Sequence, residues 1–394
     1  MTQPLAGVSV ADFTTAHQGP WATQKLGDLG ADVVKIERTG GEWSRQLAAG
    51  GELYEGESPF WLSANRSKRS IGVDLKDDDG REVALDIIGE ADVLVENFRP
   101  GVMDRFGLSY EEVREVNPEI IYVSASGFGS DGPYSDRPGQ DLLMQALSGM
   151  ADTVGRRDDP PTPIPFPVVD GHSAMQVALY TMVALFHRER TGEGQKVEVN
   201  LLDSAIDSQC QGFTVELNVD ETFERSAAGI GQKYLGAPYG IYETADGHVA
   251  VAMTPMERLA EVLDLPELAA YDSPEAAFEH RDEIKRELEA YTREQFTESL
   301  LETLVEADVW AARVQDFEAA AEDPQVKHND ILIDVEHPRG GTFETTGTPA
   351  SLSETPAEVQ RRPPRPGEHT GEILRELGYD DEEVERLVDE RVVE

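Results

Sequence analysis

Short β-branched runs alternate with helical stretches through the first half of the chain, and this alternation leaves few folds open. Residues 8–13, 31–37, 70–75, 92–97, 120–124 and 195–202 read as strands. Gly19-Pro20 opens a helix that stops near Gly27 to Gly30. A second helix with a polar start covers about 78–89, and a third lies near 110–116. Strands and helices at this spacing build a doubly wound, mostly parallel sheet. Ligands on such sheets bind beyond the carboxyl ends of the strands, so the loops near His17, Arg38, Asn97 and Gly127 are expected to wall a site. The character changes after about Val219. Residues 240–244 and 248–252 flank an Ala-Asp-Gly turn and read as a hairpin, charged helices follow over 256–304, and short strands return over 331–352. Residues 371–393 form one amphipathic helical pattern. A chain of 394 residues accommodates two domains.

The charge balance narrows the partners. Asp and Glu number 77 against 34 Lys and Arg, a formal net charge of -43. The acid is spread from Asp28 to Glu394 instead of gathering in one tail, so it marks a globular surface and not a disordered block. Molar salt, with a screening length of about 3 Å, removes the self-repulsion of such a surface, and the chain reads as halophilic. The same surface repels nucleic acid and anionic lipid. Cys210 is the single cysteine, which excludes an intrachain disulfide and a thiolate metal cluster, and it reads as a small buried hydrophobe. No run reaches the apolar length that spans a bilayer and the start lacks a signal-peptide pattern, so a cytoplasmic protein is expected.

Residues 166–175, Phe-Pro-Val-Val-Asp-Gly-His-Ser-Ala-Met, carry the most chemistry. A Pro-punctuated extended segment ends at Asp170, and an apolar run over 177–186 predicts a helix buried on most faces. Asp170 falls at its N-terminus, where free backbone N–H groups and the helix dipole favour a carboxylate. Taken alone it reads first as an N-cap, with a nucleophile as the sharper alternative. Residues 171–175 fall one glycine short of a nucleophile elbow, and Ser173 also fits a helix-start hydroxyl. Residues 127–132 match G-x-G-x-x-G, but Pro133, Tyr134, Pro138 and Gly139 follow where a dinucleotide motif needs a helix, so a loop is expected. The eight histidines show no metal-ligand spacing. Basic residues are scarce, yet Arg38, Arg66, Lys68, Arg69, Lys76, Arg99 and Arg105 gather in the N-terminal quarter, mostly at strand-end loops. They read as solvated surface or as a cationic patch for a polyphosphate.

Several ordered segments together resemble the class III CoA-transferases, the family of formyl-CoA transferase, carnitine CoA-transferase and α-methylacyl-CoA racemase. These are residues 5–38, Lys68-Arg69-Ser70-Ile71, residues 92–101, 126–133, Arg137-Pro138-Gly139-Gln140-Asp141-Leu142, Val169-Asp170, residues 190–195 and Pro366-Gly367-Glu368-His369-Thr370. The resemblance implies an α/β fold with a large Rossmann-like parallel-sheet domain made from both chain ends, residues 1–218 and 331–394. A small α+β domain, 219–330, lies between, and two subunits interlock as a homodimer. It places the catalytic aspartate at Asp170 and the CoA contacts at Ala16, His17, Arg38, Val73, Lys76, Asn97 and Arg105. His17, Gln140 or the backbone of Gly171 are the expected substrate and oxyanion contacts. No metal or prosthetic group is expected; coenzyme A enters as a thioester substrate, beside a small carboxylic acid.

The implied reaction moves CoA from an acyl-CoA to an acid through an aspartyl anhydride and thioester. A salt-adapted surface with this pattern suggests succinyl-CoA as donor and a dicarboxylate such as mesaconate as acceptor, with Arg45, Arg66 or Arg69 as candidate cations for the free carboxylate. The racemase branch carries His at the position of Gln140, and an amide does not shuttle protons at neutral pH, which favours the transferase over the 2-methylacyl-CoA racemase. The acidic composition itself makes a prediction: the melting temperature should climb as KCl is raised towards molar concentration, and a flat or falling dependence would contradict salt adaptation.

Overall fold

A computed structural model describes residues 3–394 of the chain. The described residues divide into two compact units. The larger runs from the start of the described chain to Met144 and continues through Phe166–Ser208 and Gln325–Glu394. It is built on β1 (Ser9–Asp12), α1 (Gln18–Asp28), β2 (Asp32–Glu37), β3 (Lys68–Gly72), α2 (Asp78–Gly89), β4 (Val93–Glu96), α3 (Tyr110–Val116) and β5 (Ile121–Ser126). There follow α4 (Asp141–Leu147), of which only the part up to Met144 belongs to this unit, α5 (Val168–Thr191), β6 (Gln195–Asn200) and α6 (Leu201–Asp207). The six strands are parallel, in the order β3-β2-β1-β4-β5-β6. This is the doubly wound sheet that the strand–helix alternation predicts.

The pleat explains the two-sided sheet. Val10, Val33, Val93, Val95, Ile121 and Val123 point to the face covered by α1 and α5, where Ala22, Leu26, Ala174 and Val177 complete one core. Their strand neighbours Ala11, Val34, Leu94 and Tyr122 point to the other face, against Val83, Ile87 and Ile88 of α2. Apolar residues at successive strand positions therefore mark burial on both sides. The helix starts are marked locally. Asp77 accepts the Asp79 N–H ahead of α2, and Ser109 and Glu112 form a reciprocal capping box at α3.

The smaller unit holds a three-stranded antiparallel sheet of β7 (Gly240–Glu243), β8 (His248–Val251) and β9 (Ala311–Arg313). The helices α7 (Met256–Leu263), α8 (Arg281–Thr292) and α9 (Thr297–Glu306) close its own core around Tyr242, Val249, Leu259, Ile284 and Leu300. The chain then returns to the large unit as the hairpin β10 (Leu332–Glu336) and β11 (Thr342–Thr346), followed by α10 (Thr370–Glu376) and α11 (Asp381–Asp389). Residues 371–393, read as one amphipathic helix, are in fact two short ones. They break at Leu377-Gly378-Tyr379, where Gly378 takes φ +98°, and they seat Ile373, Leu374, Val384 and Leu387 in the α2 core.

Three further expectations are corrected. The α5 helix is not buried on most faces of this chain. Ala174, Val177, Thr181 and Ala184 are interior, but Leu179 and Phe186 are 57% and 64% exposed, and Tyr180 and Val183 are exposed beside them. Cys210 is exposed, not interior. Arg45, Arg66 and Arg69 are not free cations. Arg45 pairs with Glu37, Arg66 with Asp28, and Arg69 with Asp32 and Glu376. The Arg66 guanidinium donates to both Asp28 oxygens and to the Thr346 carbonyl, with both side chains almost wholly buried. Removing one partner of such a pair strands the other charge, so Arg66→Met is predicted to lower unfolding free energy by about 3–5 kcal/mol in denaturant titrations at fixed KCl.

Candidate active site

Strand β1 delivers the chain to a turn at the carboxyl edge of the sheet. Asn97, just beyond β4 next door, brackets this turn with its amide: Oδ1 accepts the Thr15 N–H at 2.8 Å and Nδ2 donates to the Thr15 carbonyl at 2.8 Å. Ala16 follows with φ +66°, a left-handed conformation that an alanine rarely adopts. His17 then immediately precedes α1 and stacks on Trp21, with ring centroids 5.2 Å apart. Burial lowers the His17 imidazole from its ordinary pKa, and the nearby Asp141 carboxylate acts in the opposite sense.

The catalytic candidate sits in the first turn of α5, and its surroundings decide between cap and nucleophile. Pro167, the residue before the helix, supplies no side-chain cap. The cap comes from outside the helix: Asp141 Oδ2 accepts the N–H groups of both Val169, at 2.7 Å, and Asp170, at 2.9 Å. The Val168 N–H goes to the Phe166 carbonyl and the Gly171 N–H to the Pro167 carbonyl. The free donors of the helix start are thus satisfied without the Asp170 side chain. The Asp170 carboxylate is half-buried and accepts no hydrogen bond from the described residues. Burial, reinforced by the Asp141 charge, pushes it up from its ordinary pKa to about 7.

Two close contacts register α1 against α5. A side chain at Gly171 would place its Cβ 2.9 Å from Trp21 Cζ3, so glycine here admits the indole that carries His17. Its N–H, expected to hold an oxyanion, is instead bonded within the helix. One turn on, Gln18 Nε2 donates to Ser173 Oγ at 2.7 Å in a fully buried bond. Ser173 has no solvent contact and its partner is an amide, so no base activates it. Gln140 is exposed, and its carbonyl accepts the N–H groups of Leu143 and Met144 at the start of α4. Residues 127–132 lead into turns, without the helix that a dinucleotide site needs.

The remaining candidates lie along the same sheet edge. Arg38 follows β2, Lys76 follows β3, and Arg105 ends the single turn Val102–Arg105 after β4; β3, β2, β1 and β4 are consecutive in the sheet. All three cations are exposed, and none forms an ion pair among the described residues. With acid outnumbering base more than two to one, cations left unpaired on neighbouring loops form a patch suited to phosphate groups. Val73 differs: its side chain lies in the core, its N–H donates to the Glu37 carbonyl, and it bridges to Val393 near the C-terminus. Asp141, Trp21 and Gln18 were missed as site residues. Asp141 lies 29 residues from the N–H it caps, and only the tertiary fold reveals that link.

The arrangement offers a carboxylate relieved of structural duty, and the Asp141 charge acts on both it and the His17 imidazole. Such a carboxylate serves as a nucleophile only when ionised. With Asp170 titrating at about 7, kcat/KM is predicted to rise as pH increases through that value. Asp141→Asn keeps an acceptor oxygen but deletes the neighbouring charge, which should move this acid limb to lower pH. A limb that stays in place would remove Asp141 from the electrostatics of the site.

Comparison with known proteins identifies the family. The model of CoA-transferase family III matches residues 5–370. Succinyl-CoA:mesaconate CoA-transferase of Haloarcula hispanica is 37% identical over 390 residues, covering 95% of this chain and 96% of that protein. The human succinyl-CoA:glutarate CoA-transferase is 32% identical over 400 residues, covering 100% of this chain and 90% of that one. The crystal structure of a CAIB/BAIF family protein from Brucella suis superposes with a TM-score of 0.85 at 30% identity, over 96% of this chain and 100% of that one. The chain belongs to CoA-transferase family III and is a CoA-transferase that takes CoA thioesters as substrates.

Proposed function

We propose that this enzyme transfers CoA from succinyl-CoA to a small dicarboxylate such as mesaconate, with Asp170 as the covalent carrier. The observation that carries the reading is the division of labour at the start of α5: Asp141 takes the backbone N–H groups and leaves the Asp170 carboxylate without a hydrogen bond. The similarity to succinyl-CoA-dependent relatives supports the donor.

An Asp170 oxygen attacks the thioester carbonyl; the C–S bond breaks, CoA leaves as thiolate, and an aspartyl–succinyl anhydride forms. The thiolate then attacks the aspartyl carbonyl, releasing succinate and leaving an aspartyl–CoA thioester. The acceptor carboxylate attacks that thioester, expelling the thiolate and forming a second anhydride. Attack of the thiolate on the acceptor's acyl carbon completes the new CoA thioester and restores the Asp170 carboxylate. His17, held on Trp21, or the exposed amide of Gln140 stabilises the oxyanions, and both anhydrides require a site that excludes water. Ala16, Arg38, Val73, Lys76, Asn97 and Arg105 hold CoA through the loops of β1 to β4, with the cations on its phosphates.

A homodimer fits the exposed apolar stripe of α5, where Leu179, Tyr180, Val183 and Phe186 need cover that this chain does not supply. The acidic composition suits a salt-rich cytoplasm. For the second carboxylate of the acceptor, Arg45, Arg66 and Arg69 are committed to ion pairs. Arg137, four residues ahead of Asp141, forms none among the described residues and stacks 3.8 Å over the Tyr134 ring.

Asp170→Asn should abolish transfer while CoA still binds, and hydroxylamine should trap the acyl adduct on that residue in the unaltered enzyme. Transfer that survives the substitution would refute the nucleophile. Incubation of a 2-methylacyl-CoA in heavy water separates the racemase reading: exchange of the α-proton as fast as transfer would favour it. Arg137→Gln should raise KM for mesaconate by about 10-fold and leave a monocarboxylate acceptor of similar length unaffected.

A further inference from the structure

Beneath the turn that presents His17 lies a buried polar cluster that contacts neither His17 nor Asp170. Asp12, the last residue of β1, accepts the Thr14 N–H at 2.9 Å and the Thr14 hydroxyl at 2.5 Å on Oδ1. Its Oδ2 accepts the Thr23 hydroxyl of α1 at 2.7 Å and the Lys68 ammonium at 2.9 Å. Lys68 gives its other two donor positions to the Pro20 carbonyl and Asn65 Oδ1, both at 2.9 Å. From β2, Lys35 Nζ donates to the Thr14 carbonyl at 2.8 Å. Asp12, Lys35 and Lys68 have no solvent exposure beyond 1%.

Two lysines and an aspartate buried this deeply are costly to desolvate, and the cluster's partners show what it does. Burial pushes the Asp12 carboxyl up, but Lys68, Lys35 and the two threonine hydroxyls outweigh it and hold the group down at about 2. Burial brings the Lys68 ammonium down to about 8, with Asp12 opposing. Every backbone polar group of Thr14 and Thr15 is held by a side chain: Asp12 and Lys35 on Thr14, Asn97 on Thr15. The next residue is Ala16, the one in the left-handed conformation, and then His17. A strained residue persists only where its surroundings over-determine it.

We propose that Asp12, Lys35 and Asn97 are positioning residues that clamp the peptides of Thr14 and Thr15, force Ala16 into its left-handed turn and thereby fix His17 at the reaction site. The proposal rests on reading His17 as a site residue, and it adds a cause for the placement of that side chain. The clamp is made before substrate arrives, so its contribution is a turn that needs no rearrangement when the thioester binds.

A double-mutant cycle tests the proposal, with succinyl-CoA and mesaconate as substrates and kcat/KM corrected for folded enzyme. Lys35→Met keeps the methylenes and removes the donor to Thr14. It should lower kcat/KM by about 10-fold or more in the otherwise natural chain. In the Ala16→Gly background the turn no longer needs forcing, because glycine adopts positive φ without strain. There the same Lys35→Met change should cost about 3-fold or less. Equal losses in the two backgrounds would show that the clamp does not act through Ala16 and would overturn the proposal, as would an undiminished Lys35→Met enzyme. If Lys35→Met does not fold, Lys35→Gln enters the same cycle, since its shorter side chain withdraws the donor from the Thr14 carbonyl and keeps a polar group in the cluster. Because Asp170→Asn reports on the nucleophile alone, failure of the cycle leaves the covalent reading standing, and the reverse also holds.

Discussion

One carboxylate oxygen, Oδ2 of Asp141, bonded to two adjacent backbone N–H groups, separates structure from chemistry at the start of α5. These N–H groups are ordinarily capped by the side chain of the residue before the helix, a place taken here by Pro167, which has no acceptor to offer. Here a neighbouring helix provides the cap. The consequence is electrostatic as well as geometric. The capping charge lies beside Asp170, and with burial it raises that group's pKa to about 7. A carboxylate raised in this way is more basic and binds an acyl group more readily than one held by hydrogen bonds, although part of it is protonated at neutral pH.

The rest of the large unit serves to bring the needed groups to one edge. Parallel strands in the order β3-β2-β1-β4 set four loops side by side, and each loop carries one residue of the proposed site. The β1 loop brings His17, and the loops of β2, β3 and β4 bring Arg38, Lys76 and Arg105. Three other arginines, Arg45, Arg66 and Arg69, are locked into pairs that knit the β2–β3 connection, α1 and the C-terminal segment. In a chain so rich in acid, buried and exposed arginines alike are largely paired, as Arg66 is with Asp28 and Arg375 with Asp381, which sets apart Arg38, Lys76 and Arg105, unpaired among the described residues.

Much of this was legible in the sequence because local pattern and tertiary environment agree there. Five of the six parallel strands lie within a residue or two of where the apolar runs put them, β3 ends three residues early at Gly72, and Tyr110–Val116 is found where its Ser109–Glu112 capping box starts it. The place of Asp170 in the first turn of a long helix was also legible. What the pattern could not give is pairing across the chain. The apolar run of α5 suggests burial all round, yet only one face meets the sheet, because sequence cannot say whether cover comes from the same chain. The charges of Arg45, Arg66 and Arg69 read as free cations, since their partners Glu37, Asp28 and Asp32 carry no mark of the pairing. Asp141 was visible within a motif, but its duty depends on a helix that begins well downstream. Ala16 reads as an unremarkable small residue until its φ is seen.

The covalent role proposed for Asp170 would leave an isotopic trace. When the acceptor carboxylate carries oxygen-18, each completed transfer deposits one acceptor oxygen in the Asp170 carboxyl group, because the second anhydride is cleaved on its acceptor side. Mass spectrometry of the proteolysed enzyme after turnover with succinyl-CoA and doubly labelled mesaconate should find oxygen-18 in the peptide that contains Asp170, localised to that side chain. Turnover that leaves Asp170 unlabelled, or that places the label on Asp141 instead, would contradict the division between cap and nucleophile on which the mechanism stands.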